Sequence, residues 1–117
     1  MNTPLYEITI SPYVQHSLGL SLINNLLNRH HHGDYGVNGD YQSNCIQLID
    51  AILNEDDDFT LPGIRNVIAL HHFDSDYDSE YRFYDSVFSS YIINCEEVWI
   101  LTNLKLKYTL VAWANCI

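Results

Sequence analysis

The sequence predicts an α+β fold: an antiparallel sheet from the C-terminal half, with two N-terminal helices packed on one of its faces. Apolar residues recur at intervals of three and four between Val14 and Leu27 and again between Tyr41 and Ile52, as helices require. Val98 to Thr102 and Lys107 to Trp113 are rich in β-branched and aromatic residues and lie four residues apart, as a hairpin requires. A chain of 117 residues, 47% of them hydrophobic, is long enough for one core, and no linker, repeat or low-complexity tract divides it. Residues 1–117 therefore read as a single domain.

Leu5, Tyr6, Ile8 and Ile10 around Glu7 and Thr9 predict a short first strand. Ser11 and Pro12 then form a helix start, a hydroxyl followed by a ring whose fixed backbone angle suits the first helical position. Val14, Leu18, Leu22, Ile23, Leu26 and Leu27 make one apolar stripe, so a helix runs to about Asn28 with a break near Gly19. Arg29 to Asp40, with a triple histidine and three glycines, reads as a loop. Tyr41, Cys45, Leu48, Ile49 and Ile52 restore the helical period, with Asn38 or Asp40 as the cap, for a second helix from about Asp40 to Leu53. The run of Val67, Ile68, Ala69 and Leu70 predicts a strand between Ile64 and Phe73. Tyr81, Tyr84, Val87, Phe88 and Tyr91 fit helical spacing and predict a helix or irregular structure, although so many aromatics would also suit a hairpin, and the C-terminal hairpin follows.

Charge is the main pointer to function. Fifteen acidic side chains face five basic ones, for a net charge of −10, and the acids bunch at Glu55 to Asp58 and at Asp74, Asp76, Asp78 and Glu80. A protein that grips a phosphate backbone must bring cations to it, so nucleic acid is excluded as a direct ligand. The expected partner is the basic surface of a nucleic-acid-binding protein complex. Duplex DNA carries one negative charge per roughly 1.7 Å of axis, and arrayed carboxylates imitate that. Asp56, Asp57, Asp58, Asp74, Asp76, Asp78 and Glu80 are the candidate partner-binding residues, with Tyr77 as an aromatic anchor among them. Three cysteines at wide spacing, with no CxxC and no leader, predict a reduced cytoplasmic setting. The longest apolar run, Val98 to Leu101, falls far short of the roughly 20 residues of a spanning helix, so no membrane partner is expected. An exposed edge on the aromatic hairpin leaves a homodimer open.

Catalytic chemistry has little support. No GxSxG elbow or GxxxxGK[ST] loop is present, Cys45 falls on an apolar stripe, and no cofactor is expected. The alternative is a metal-binding protein or metal-dependent hydrolase using His30, His32, His71 and Asp74, since imidazole and carboxylate suit zinc. No HExxH spacing places two of these ligands on one helical face.

The segment Leu26-Leu27-Asn28-Arg29-His30-His31-His32-Gly33-Asp34-Tyr35-Gly36, with Asp40 and Asn44 beyond it, resembles a family of small plasmid- and phage-borne proteins with the pattern LLxRHxxGDWG. Arg65 to Ala69, Val98-Trp99-Ile100-Leu101-Thr102 and Tyr108-Thr109-Leu110-Val111 resemble that family's RILSAY, WIIT and TTILL strands. The family's EADRS is replaced by Asn103-Leu104-Lys105-Leu106, and Phe73 to Cys95 has no counterpart. Members are often labelled restriction enzyme subunits. The resemblance implies the order of elements and a mobile-element origin, and it assigns no chemistry.

Overall fold

The computed structural model describes residues 2–54, 61–72 and 85–116. Strand β1 (Glu7–Ile10) leads into helices α1 (Pro12–Leu18), α2 (Leu20–His31), α3 (Tyr41–Leu53) and α4 (Pro62–His72). Strands β2 (Ser86–Ile93), β3 (Glu96–Asn103) and β4 (Tyr108–Trp113) follow, ending in a 3₁₀ turn at Ala114–Cys116. The class is α+β as expected. The sheet, in the order β1-β4-β3-β2, is mixed rather than purely antiparallel, because β1 pairs parallel to β4. Two strands from opposite ends of the chain thus meet, and everything between them forms the crossover that a parallel pair needs.

Several local expectations hold. Pro12 opens α1, and Gly19, at φ +79, separates α1 from α2. Asp40 caps α3 by accepting a 2.8 Å hydrogen bond from the Ser43 amide. β3 and β4 form the predicted hairpin, in register from Val98–Trp113 to Asn103–Tyr108. The Asn103 Oδ1 accepts the Lys105 and Leu106 amides at 3.1 and 2.8 Å, which fixes the turn.

Two expectations are corrected. Residues 64–72, read as strand, belong to α4. Ile64, Asn66, Val67, Ile68, Ala69 and Leu70 are all at least 95% buried. A helix buried on most sides loses its polar stripe and presents the same unbroken apolar run as a buried strand. Pro62 in the first helical position was the sign that distinguishes them. Conversely, of the segment Tyr81 to Tyr91, read as helical or irregular, the first four residues lie outside the described residues and the part from Ser86 belongs to strand β2, which pairs antiparallel to β3 along its full length. Its inward residues are Val87, Ser89 and Tyr91, and the buried serine hides the alternation.

The pairing registers put Val87, Ser89, Tyr91, Val98, Ile100, Thr102, Thr109 and Val111 on one face, and all are buried. Val14 of α1 and Ile23, Leu26 and Leu27 of α2 pack on Tyr91, Val98, Ile100 and Val111. At the β2 end, Ala69 and Leu70 of α4 pack with Tyr35, Val87 and Leu104. Each fully buried aliphatic side chain contributes about 1.5–3 kcal/mol, so these two clusters hold the helices to that face. The opposite face carries Phe88 and Trp99, edge to face at 5.0 Å, and both are half-buried.

The outer edge of β2 is closed by side chains and a loop. The Asn66 amide from α4 receives the Phe88 N–H at 2.6 Å and donates to the Phe88 carbonyl at 2.7 Å, as a neighbouring strand would. One residue pair on, the Ser90 N–H donates to the Tyr35 carbonyl at 3.1 Å and the Ser90 carbonyl accepts from Val37 at 2.7 Å. Asn66→Ala leaves the Phe88 N–H without its acceptor and should cost about 1–3 kcal/mol in chemical denaturation. An unchanged unfolding midpoint would show that solvent replaces the amide without loss.

Candidate functional site

The loop singled out in the sequence, Arg29 to Asp40, folds against β2 and brings together most of the ionisable groups that sit close to one another among the described residues. The Arg29 Nε donates to Asp34 Oδ2 at 2.7 Å, and its guanidinium lies 4.7 Å above the centre of the Tyr91 ring. The Asp34 Oδ1 accepts the Gly36 amide at 3.1 Å, and the Asp34 carbonyl accepts the Tyr91 hydroxyl at 2.6 Å. The hydrogen bond donated by Arg29 holds the Asp34 carboxyl below its ordinary range, and the same bond raises Arg29. Burial pushes the Tyr91 phenol up to about 12. Both charged heads are about half exposed, so this pair orients the loop more than it stabilises it.

His30 lies at the centre of the molecule and is fully buried. Its Nδ1 is 2.6 Å from Ser89 Oγ, and its Nε2 is 2.8 Å from Thr102 Oγ1. Thr102 Oγ1 is 2.7 Å from Thr109 Oγ1, which lies 2.5 Å from the Leu5 carbonyl. The direction of every proton in this chain follows from its far end. A carbonyl only accepts, so Thr109 donates to Leu5. Its single proton being used, Thr109 accepts from Thr102, and Thr102 by the same argument accepts from His30 Nε2–H. The neutral imidazole then has a bare Nδ1, which accepts the Ser89 hydroxyl. The series ties α2 to all three C-terminal strands and to the segment preceding β1, and leaves no donor or acceptor of the imidazole unused.

A serine hydroxyl pointed at an imidazole is also the geometry of an activated nucleophile. Here the chemistry is blocked. Desolvation lowers His30 to about 3, far too weak a base to take a serine proton near neutral pH, and Ser89 is fully buried with it. The arrangement specifies the fold rather than a reaction.

The residues of the metal alternative are placed apart in role. His30 has both ring nitrogens engaged. His71 Nε2 shares a 2.6 Å hydrogen bond with the Tyr41 hydroxyl, His32 is exposed beside the His31 ring, and Asp74 lies outside the described residues. Among the described residues no three His, Cys, Asp or Glu side chains gather as a metal site. Asp56, Asp57, Asp58, Asp74, Asp76, Tyr77, Asp78 and Glu80 also lie outside the described residues. The chain enters these two runs directly from α3, which ends at Leu53, and from α4, which ends at His72.

Two surface features complete the description. A cleft of about 550 Å³ between α1 and the end of the sheet is lined by Tyr13, His16, Ser17, Glu96 and Trp113. Beside it Glu97 accepts hydrogen bonds from Ser90 and Trp99, and these hold its carboxyl below the ordinary range. The second feature is a set of exposed aliphatic side chains on α3, Ile46, Ile49, Ile52 and Leu53, beside exposed Ser43, Gln47 and Asp50. No described helix is long and apolar enough to cross a membrane. Compared with protein-family models, curated proteins and solved structures, the chain matches none.

Proposed function

We propose that the protein is an acidic inhibitor carried by a mobile element, of anti-CRISPR or anti-restriction type, acting in the cytoplasm of a bacterial host. It binds the nucleic-acid-binding surface of a host defence complex and blocks DNA binding there. The observation that carries this reading is that both acidic runs continue from one substructure, the packed pair of α3 and α4, in a chain of net charge −10. Asp56, Asp57, Asp58, Asp74, Asp76, Asp78 and Glu80 form the binding set, with Tyr77 as anchor. The likeness of Arg29 to Gly36 to the loop of small plasmid- and phage-borne proteins supports the mobile-element origin.

Charge complementarity accelerates encounter with a basic groove and makes affinity fall with salt. The test is to titrate the purified protein into CRISPR effector and type I restriction complexes and follow their binding to duplex DNA. One of them should lose DNA binding at about one inhibitor per complex, with the effect fading as salt rises. Reversing four of the seven carboxylates should abolish it. Undiminished DNA binding by every complex, or inhibition that survives charge reversal, would overturn the reading. Glutamine at His32 and His71 should leave inhibition intact, whereas a metal-dependent activity would be lost.

A further inference from the structure

The walls of the cleft of about 550 Å³ between α1 and the end of the sheet are set by local rules. Tyr13, His16 and Ser17 recur at three and four along α1 and so share one side of it, while Val14, fully buried, anchors the helix to the sheet beneath. Trp113 lies opposite Val98 in the β3–β4 register, and Glu96 precedes Val98 by two residues. Both side chains are therefore on the face that α1 covers, as diagonal neighbours. Asn94 and Cys95, at φ 52 and 67, make the two-residue turn that pins Glu96 opposite Ile93. An adjoining hollow of about 270 Å³ shares Glu96 and Trp113 and adds Cys95 and Glu97. The chain leaves the described residues after α3 and after α4 and returns at Leu61 and Asp85, none of which lines either space. Ser86, where β2 begins, pairs with Asn103, at the opposite end of β3 from Glu96.

The lining decides the class of ligand. It carries two carboxylates, Glu96 and Glu97, and no lysine or arginine. Among the described residues Glu96 has no hydrogen-bond or ion-pair partner. An anion would be repelled, and an apolar ligand would strip water from the carboxylate with nothing in return. No group of His, Cys, Asp and Glu suited to a metal ion forms there among the described residues. Glu97 accepts Ser90 Oγ and Trp99 Nε1 at 2.5 and 2.8 Å on the same oxygen, Oε1, which fixes the carboxylate and leaves Oε2 for a further donor. What remains is an organic cation, held by carboxylate and aromatic surface together. The chain holds its own Arg29 in this way, with the Asp34 carboxylate at 2.7 Å and the centre of the Tyr91 ring at 4.7 Å.

We propose that the cleft receives an arginine side chain from a basic protein segment, its guanidinium against the rings of Trp113 and Tyr13 and its N–H groups directed at Glu96. Glu97 adds a second fixed carboxylate at the same end of the sheet. Arginine is favoured over lysine because a guanidinium stacks flat on a ring while its edge forks to a carboxylate. The site stands apart from the acidic runs; only the expectation that a host defence complex supplies the arginine rests on the inhibitor reading.

The test is an NMR titration of the isotope-labelled full chain with N-acetyl-arginine methylamide, with the citrulline counterpart, similar in shape but uncharged, as control. The expected result is saturable shifts at the Trp113 indole N–H and the Tyr13 and Glu96 amides, with the citrulline compound at least about 10-fold weaker. Tyr13→Ala with Glu96→Gln should weaken the arginine compound at least about 10-fold and leave the unfolding midpoint unchanged, since both side chains are exposed, Tyr13 by 72%. Amides in place of the carboxylates of the two acidic runs should leave this binding intact while abolishing inhibition, so the site and the inhibitor reading fail separately. Absent or non-saturating shifts, equal binding of the citrulline compound, or affinity retained by the double variant would each overturn the proposal.

Discussion

His30→Ala should remove about 3–5 kcal/mol of stability, the largest loss expected from any single substitution in the core. Two costs combine. The imidazole leaves a cavity between α2 and the sheet, and its removal strands the Ser89 hydroxyl and the Thr102 lone pair, both buried and each left with a missing partner. Domains of this size have about 5–15 kcal/mol in total, so the loss is a large fraction of the whole. Chemical denaturation followed by circular dichroism measures the loss; a cost below about 1 kcal/mol would show that the chain is dispensable. His30→Gln, which keeps one donor and one acceptor, should be milder.

The same residue sets an acid sensitivity of defined sign. The folded value of about 3 lies below the ordinary 6.5, so between these values the unfolded chain binds more protons than the folded one. Stability from this group is therefore complete above pH 6.5 and declines as pH falls toward 3. At pH 5 the loss is about 2 kcal/mol, from 1.36 kcal/mol per pH unit. Subtracting the stability profile of His30→Gln isolates this contribution from that of Asp34, whose lowered carboxyl also loses stabilisation in acid. A difference profile that is flat between pH 7 and 4 would contradict the buried, neutral imidazole.

Gly36→Ala is the second large effect. A Cβ there would lie 2.0 Å from the Ser90 carbonyl oxygen, and φ is +66. Relief requires the loop to lift from β2, breaking the hydrogen bonds from Val37 to Ser90 and from Ser90 to Tyr35 that close the sheet edge. The expected cost is about 3 kcal/mol or more, with faster hydrogen exchange at the Ser90 amide. Gly19 is the matched control: its φ is +79, but nothing lies within 4 Å of the added Cβ. With ψ at 157 the position is one that only glycine adopts easily, so Gly19→Ala should cost backbone strain alone, about 1–3 kcal/mol. Equal effects at the two positions would mean that strain alone, and not the docking of the loop, is being measured.

What the sequence disclosed follows from how local the signals are. Caps and breaks act over a few residues, and Pro12, Gly19 and Asp40 each sit where they were expected. The errors came where tertiary contacts decide. The polar stripe of α4 vanished because both the sheet and α3 cover it, and β2 lost its alternation because Ser89 serves an imidazole 59 positions away. The parallel pairing of β1 with β4 joins the two ends of the chain, a choice with no local mark. The Arg29 to Gly36 motif stood out in the sequence, but for structural reasons. Arginine clamps the loop, histidine bridges three strands through hydroxyls, and Gly36 admits the backbone of β2. One signal was present for the histidine: Ser89, Thr102 and Thr109 are small hydroxylic residues at inward positions of their strands, a pattern that calls for a buried polar partner.

With that motif spent on the fold, the proposed reading assigns partner binding to the acidic runs that follow α3 and α4 in the sequence. The measurement that separates the two compares two variants, at equal folded concentration, in competition with duplex DNA for the host complex. In one, Asp56, Asp57, Asp58, Asp74, Asp76, Asp78 and Glu80 become their amides; in the other, Arg29→Gln is combined with Asp34→Asn. The account predicts that the first loses inhibition and the second retains it. Inhibition kept by the amide variant and lost with Arg29 and Asp34 would place the function in the loop and contradict the account.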